Sequence, residues 1–116
     1  MRAVGIICEY NPFHNGHEFH IRRAREQTGL PVVCVMSGNF VQRGEPSILG
    51  KFARARAAVL GGADLVLELP VPWACAGAGR FAEGSVGLLA SLGVVSHIAF
   101  GSESANLEAI TAAARL

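Results

Sequence analysis

At 116 residues the chain is long enough for one domain with a real hydrophobic core and too short for two. Hydrophobic residues make up 51% and charged residues 16%, with 14 glycines, which excludes a disordered or fibrous chain and suits a buried sheet wrapped by helices. The net charge of +1 argues neither for nor against nucleic acid, so any basic surface has to be local.

Residues 2–8 read as a strand buried on both faces, bounded by Glu9. Glu9 also arrives before a secretory apolar region develops, and no apolar run reaches the roughly 20 residues that span a bilayer. A cytoplasmic protein without membrane segments is therefore expected. His17 to Thr28 follows helical spacing, with His17, Ile21, Ala24 and Thr28 on one stripe and Gly29 as the stop. Pro31 to Met36 is a second buried strand, and Ser37 to Glu45 a polar loop. Pro46 and Ser47 are read as opening a helix whose Ile48, Phe52, Ala55 and Val59 share a face, ending at Gly61-Gly62. Asp64 to Leu69 is a third strand. After a Pro-, Gly- and Ala-rich stretch, Phe81, Ser85, Leu88 and Leu92 mark a helix stopped by Gly93, with Gly84 and Gly87 expected to bring it close to the sheet. Val94 to Phe100 is a fourth strand and Gly101-Ser102-Glu103 a tight loop. Ala105 to Leu116 reads as the start of a helix that lacks a cap, so further sequence is expected to follow.

The alternation of strands and helices predicts an α/β fold, a Rossmann-like parallel sheet with right-handed crossovers and helices on both faces, spanning 1–116 as one nucleotide-binding domain. Ligands in such sheets sit outside the carboxyl ends of the strands, which picks out the loops 9–16, 37–45 and 101–103. Cys8, Cys34 and Cys75 lack metal or redox spacing and read as reduced thiols.

The chemistry concentrates in Glu9-Tyr10-Asn11-Pro12-Phe13-His14-Asn15-Gly16-His17, which leaves a buried strand and enters a helix. The backbone N–H groups and the dipole of such a terminus favour an anion. Gly16 allows close backbone approach, and two imidazoles three residues apart can flank a phosphate and donate to oxygens that gain charge during an in-line displacement. The plainer reading is that His14 and His17 only cap the helix. His14, His17 and His20 stand at i, i+3 and i+6, which also raises a three-His zinc site, with a partly buried helix residue as the alternative for His20. Lys51 and Arg54 share a helix face, where they either meet a phosphate or form a basic surface stripe. Asp64 reads as a loop carboxylate rather than a catalytic one, and with Glu68 it flanks an apolar strand.

The run from Gly5 to His17 resembles the opening of the tRNA(Met) cytidine acetate ligase family, a branch of the HIGH-motif nucleotidyltransferase superfamily. Ser37-Gly38-Asn39-Phe40-Val41-Gln42-Arg43-Gly44-Glu45-Pro46, Gly62-Ala63-Asp64-Leu65-Val66-Leu67-Glu68-Leu69-Pro70 and Phe100-Gly101-Ser102-Glu103 carry the resemblance further. It implies a HIGH-type fold and an enzyme that activates acetate with ATP to acetyl-adenylate, then acetylates the wobble cytidine of elongator tRNA(Met). It also implies that ATP lies along Ile7, Cys8, Glu9, Tyr10, Asn11, Pro12, Phe13, His14, Asn15, Gly16, His17, Glu18, Phe19 and His20, with Gly101 near the adenosine. His14 and His17 are the implied catalytic residues, at the phosphates. Ser37, Asn39 and Arg43 are implied on the acetate or RNA side, against a plain polar turn, and Glu103 at ribose or magnesium. Magnesium is expected to accompany ATP. Because family members are several times longer, their second nucleotide signature and most of their tRNA surface are expected beyond Leu116, and this segment by itself is expected to bind nucleotide without modifying tRNA. The competing expectations are a small-molecule adenylyl- or cytidylyltransferase and a nucleotide-binding module without chemistry of its own.

Overall fold

The computed structural model describes residues 2–40, 44, 46–101 and 111–115. Four strands, β1 (Ala3–Cys8), β2 (Val32–Ser37), β3 (Leu65–Leu69) and β4 (Val95–Gly101), run parallel, and β5 (Thr111–Arg115) pairs antiparallel with β4. Their order is β3-β2-β1-β4-β5. The expected Rossmann-like α/β architecture is thus present, with the direction of strand addition reversing between β1 and β4.

The helices are α1 (Asn15–Thr28), α2 (Lys51–Leu60), α3 (Val71–Ala74) and α4 (Ala78–Ser91). Alternation along β1 divides the core between them. Val4 and Ile6 pack with Ile21 and Ala24 of α1 and Ala58 of α2. On the opposite face Ala3 packs with Val33, Val35, Ala74 of α3 and Phe81 and Leu89 of α4. Gly5 is what lets α4 approach this tightly, because a Cβ there would stand 2.8 Å from Leu89 Cδ1. The glycines expected to do so within α4 act otherwise. Gly84 receives the Trp73 ring of α3, 2.6 Å from where a Cβ would be, while Gly87 faces open space.

Two further expectations are corrected. The helix after the polar loop begins at Lys51 rather than at Pro46, which instead forms an isolated bridge with Phe40. Its inward residues are Arg54 and Ala58, while Ile48, Phe52 and Val59 are exposed, Phe52 by 82%. Of the expected apolar stripe, Ala55 packs on the core while the rest faces outward, because Arg54 occupies the inward position and satisfies three carbonyls there. At the other end of the chain, Thr111–Arg115 is a strand rather than helix. Helix propensity is a weak prior, and the Ala-rich segment takes the open edge of β4, pairing Ala113 with Ala99. Among the described residues, no helix is long and apolar enough to cross a membrane.

Candidate nucleotide site

All four parallel strands deliver their carboxyl ends to one edge, so the loops after Cys8, Ser37 and Leu69 emerge together there. A cleft of about 520 Å³ opens at that edge, lined by Ile7, Cys8, Glu9, Tyr10, Asn11, Pro12, His14, His17 and Phe81. Phe81 was not expected here. It lies in the first turn of α4, which the short α3 joins to the carboxyl end of β3, and this places it at the same edge.

The turn into α1 is built by its histidines. His14 is the N-cap, and its Nδ1 accepts from the Gly16 N–H at 3.0 Å. His17 Nδ1 accepts in turn from the His14 N–H at 3.1 Å, which completes a capping box. Gly16 makes the first bond possible, since a Cβ there would stand 2.9 Å from His14 Cε1. The two rings stack with centroids 3.7 Å apart. A neutral imidazole that accepts through Nδ1 carries its proton on Nε2, so both rings hold an Nε2–H ready to donate. Desolvation first, then repulsion from His14 and His20, lowers the His17 pKa to about 4, which keeps the ring neutral near pH 7. Capping and phosphate contact are therefore compatible, because they use opposite nitrogens of each ring.

Tyr10 supports this turn from beneath. It is buried, sits in the left-handed region at φ 51°, and meets both the Phe13 and His17 rings at 4.8 Å. A non-glycine residue held there carries backbone strain of about 1–3 kcal/mol, which the packing around Tyr10 offsets. The peptide bond between Asn11 and Pro12 is cis. Tyr10 Oη also meets Cys34 Sγ at 3.6 Å, and Cys8 Sγ donates to the Val35 carbonyl at 3.5 Å. Cys8 and Cys34, unconnected by sequence spacing, are brought together by neighbouring strands. Burial pushes the Cys8 thiol up, as it does the Tyr10 phenol, so neither ionises near neutrality.

The remaining expected site residues have identifiable contacts. Phe13 packs onto the core beside Gly61, and Glu18 pairs with Arg22 at 2.9 Å. Phe19 is exposed, and His20 Nε2 is buried without a hydrogen-bond partner among the described residues. Asn15 and Gly16 form the first residues of α1, and Gly101 ends β4. Ser37 is fully buried with its Oγ donating to Glu9 Oε2 at 3.3 Å, while Asn39 Oδ1 accepts from the Lys51 N–H at 2.8 Å. Arg43, Ser102 and Glu103 lie outside the described residues.

Lys51 pairs with Glu68 at 2.9 Å. Arg54 is neither a phosphate ligand nor part of a surface stripe. It is fully buried and donates to the carbonyls of Leu49 at 3.0 Å, Glu9 at 2.5 Å and Gly38. Nothing in its spacing marked it as internal. Among the described residues, no group of three or more His, Cys, Asp or Glu stands together as a metal site, and His14 and His17 commit Nδ1 to backbone instead.

Residues 1–116 match the family model described as HIGH Nucleotidyl Transferase. The chain is 56% identical over 117 residues to the tRNA(Met) cytidine acetate ligase of Syntrophotalea carbinolica, covering 100% of this chain and 28% of that protein. It is 54% identical over 108 residues to the ligase of the same name from Thermosipho africanus, covering 92% of this chain and 26% of the relative. Among solved structures, Thermotoga maritima TmcAL bound with alpha-thio ATP superposes with a TM-score of 0.85 at 52% identity, over 93% of this chain and 26% of that one. The apo form of the same protein gives 0.84 at 52% identity, with the same coverage. The chain thus spans roughly a quarter of the length of the proteins it matches.

Proposed function

Because the chain belongs to the HIGH nucleotidyl transferase family, we propose that its cleft binds ATP and serves a ligase that activates acetate and acetylates the wobble cytidine of elongator tRNA(Met), in the cytoplasm. The observation that carries this reading is the pair of Nε2–H donors that His14 and His17 hold at the α1 N-terminus, beside the point where strand order reverses. The ligase names of the relatives, and the ATP analogue in the solved neighbour, support it.

In this reading ATP runs along Ile7–His20, with its phosphates at His14 and His17 and its adenosine toward Gly101. An acetate oxygen attacks the α-phosphorus, the bond to the β-phosphate breaks, and pyrophosphate leaves. The two imidazoles donate to phosphate oxygens as charge builds, and no protein nucleophile is required. The cytidine amine then takes the acetyl group and AMP departs. Ser37, Asn39 and Arg43 stand on the acceptor side. Ser37 and Asn39 act there by shaping the loop, through their bonds to Glu9 and Lys51. Magnesium, if bound with the nucleotide, would neutralise phosphate charge. A hard cation of this kind is commonly held by substrate phosphates and one or two carboxylates, and Glu9 lines the cleft.

The test is pyrophosphate exchange into ATP, with acetate present or omitted, together with mass spectrometry of tRNA digested after the reaction. Acetate-dependent exchange and acetylated cytidine are expected from the protein carrying this domain. Exchange that ignores acetate but responds to a phosphorylated small molecule would assign the site to an adenylyl- or cytidylyltransferase instead.

A further inference from the structure

Arg54 is the largest fully buried side chain described. Its guanidinium lies where the loops after β1 and β2 diverge, with one donor on Glu9 O, one on Gly38 O and a third on Leu49 O. These acceptors lie 45, 16 and 5 residues away in sequence. Burial disfavours its charge, while the nearby carboxylates of Glu9 and Glu68 favour it. Burying a charge is expensive even beside opposite charges, and apolar packing could seat a helix at least as well. What apolar packing cannot do is fix several carbonyls at set positions, for which a rigid planar fork of five donors is suited.

The two loops so joined are different in role. Glu9 begins the segment that lines the cleft, and Gly38 begins the loop whose Asn39 caps α2 through the Lys51 N–H. Glu68 of β3 lies against Gly38 on the other side, its Oε2 occupying the space a Cβ would need. We infer that Arg54 is a positioning residue that fixes the separation of the nucleotide loop and the acceptor-side loop, so that occupancy of one is transmitted to the other. The inference rests on the nucleotide reading of the cleft and adds to it a link between the two substrates.

The test uses the whole chain with Arg54→Lys, which keeps the charge but loses the fork, and Arg54→Met, which keeps only the length. Calorimetric titration with ATP should show the dissociation constant rising about tenfold for both, on the scale of one lost hydrogen bond from a charged donor, with stoichiometry unchanged. A purely structural role would lower the stoichiometry through unfolded protein and leave the dissociation constant of the folded fraction intact, which would overturn the inference. Amide exchange gives a second readout. Asn11 and Asn39 should accelerate together in Arg54→Lys while Ile21 and Ala24 hold their wild-type rates, and acceleration of one loop alone would equally overturn it. In the wild-type chain ATP should slow exchange at Gly38 and Asn39, which decides the matter even where neither variant folds. Failure of the wild-type chain to bind ATP refutes the nucleotide reading, and the paired exchange rates without ATP then still judge Arg54.

Discussion

The imidazoles of His14 and His17 lie 3.7 Å apart and are oriented by the backbone they cap, since each accepts a main-chain N–H through Nδ1. Helix start and donor orientation are therefore properties of the same two side chains, and substitution can separate them.

His14→Asn should keep the cap and lose the donor. Asn ranks with the best N-cap residues, so stability should stay within about 0.5 kcal/mol of wild type, whereas His14→Ala should lose about 1 kcal/mol. Both variants should bind ATP about tenfold more weakly, the equivalent of one hydrogen bond to a charged acceptor. Thermal melts and calorimetry, run on the same samples, read the two effects; an asparagine variant with undiminished affinity would remove His14 from the phosphate site.

Acid should weaken the site through His17. Its folded pKa of about 4 lies below the ordinary 6.5, so as pH falls the unfolded chain takes up this proton first. The contribution to stability is complete above pH 6.5 and declines as pH drops toward about 4. Protonation also puts a hydrogen on Nδ1, where it faces the His14 N–H and breaks the box. An NMR titration should place the His17 ring midpoint near 4, and a midpoint at the ordinary value would contradict the capped geometry.

Gly5→Ala should destabilise the fold by about 1–3 kcal/mol through overpacking, because its Cβ would meet Leu89 Cδ1 at 2.8 Å and Val95 Cγ1 at 3.1 Å. Combining it with Leu89→Ala should give less than the sum of the two single losses. Urea unfolding of the four proteins checks this, and strict additivity would show that the pair does not touch.

Asp64 joins β2 to α1. Its Oδ2 accepts from the Val32 N–H at 2.8 Å and from Arg25 at 2.7 Å. Partial burial pushes its pKa up, but the Val32 bond and the Arg25 charge outweigh this and lower it. The stabilisation is thus present above the ordinary carboxylate pKa and is lost as pH falls through the lowered one. Asp64→Asn should destabilise at pH 7 by about 1 kcal/mol, modest because the pair is half exposed. The difference from wild type should vanish in strong acid, and a gap that persisted there would mean that charge is not its source.

The central strands β1 and β2 were legible because burial on both faces leaves continuous apolar runs such as Val32 to Met36, which composition displays directly. The turn Glu9–His17 was legible as a strand-to-helix junction because Gly16 and the two histidines mark the start of α1, and much of it lines the cleft. Periodicity grouped the apolar residues of α2 but could not orient them, for it records which residues are alike and not which side faces in. With an arginine as the buried residue, the apolar stripe of Ile48, Phe52 and Val59 points to solvent. The meeting of Cys8 with Cys34, and the arrival of Phe81 at the cleft, depend on strand register and on where α4 begins, which no local spacing encodes.

The way α2 is anchored has a consequence for its freedom to move. Helices seated by interdigitating apolar side chains can slip by a turn between alternative seatings, and many conformational switches use such ratchets. A forked cation that must find particular carbonyls on two other loops has a single acceptable seat, and a slip of one turn, about 5.4 Å, would strand the donors to Glu9 and Gly38. With Arg54 in place, α2 is registered against the sheet like a key with one notch pattern, and motion in this region is left to the loops on either side of it.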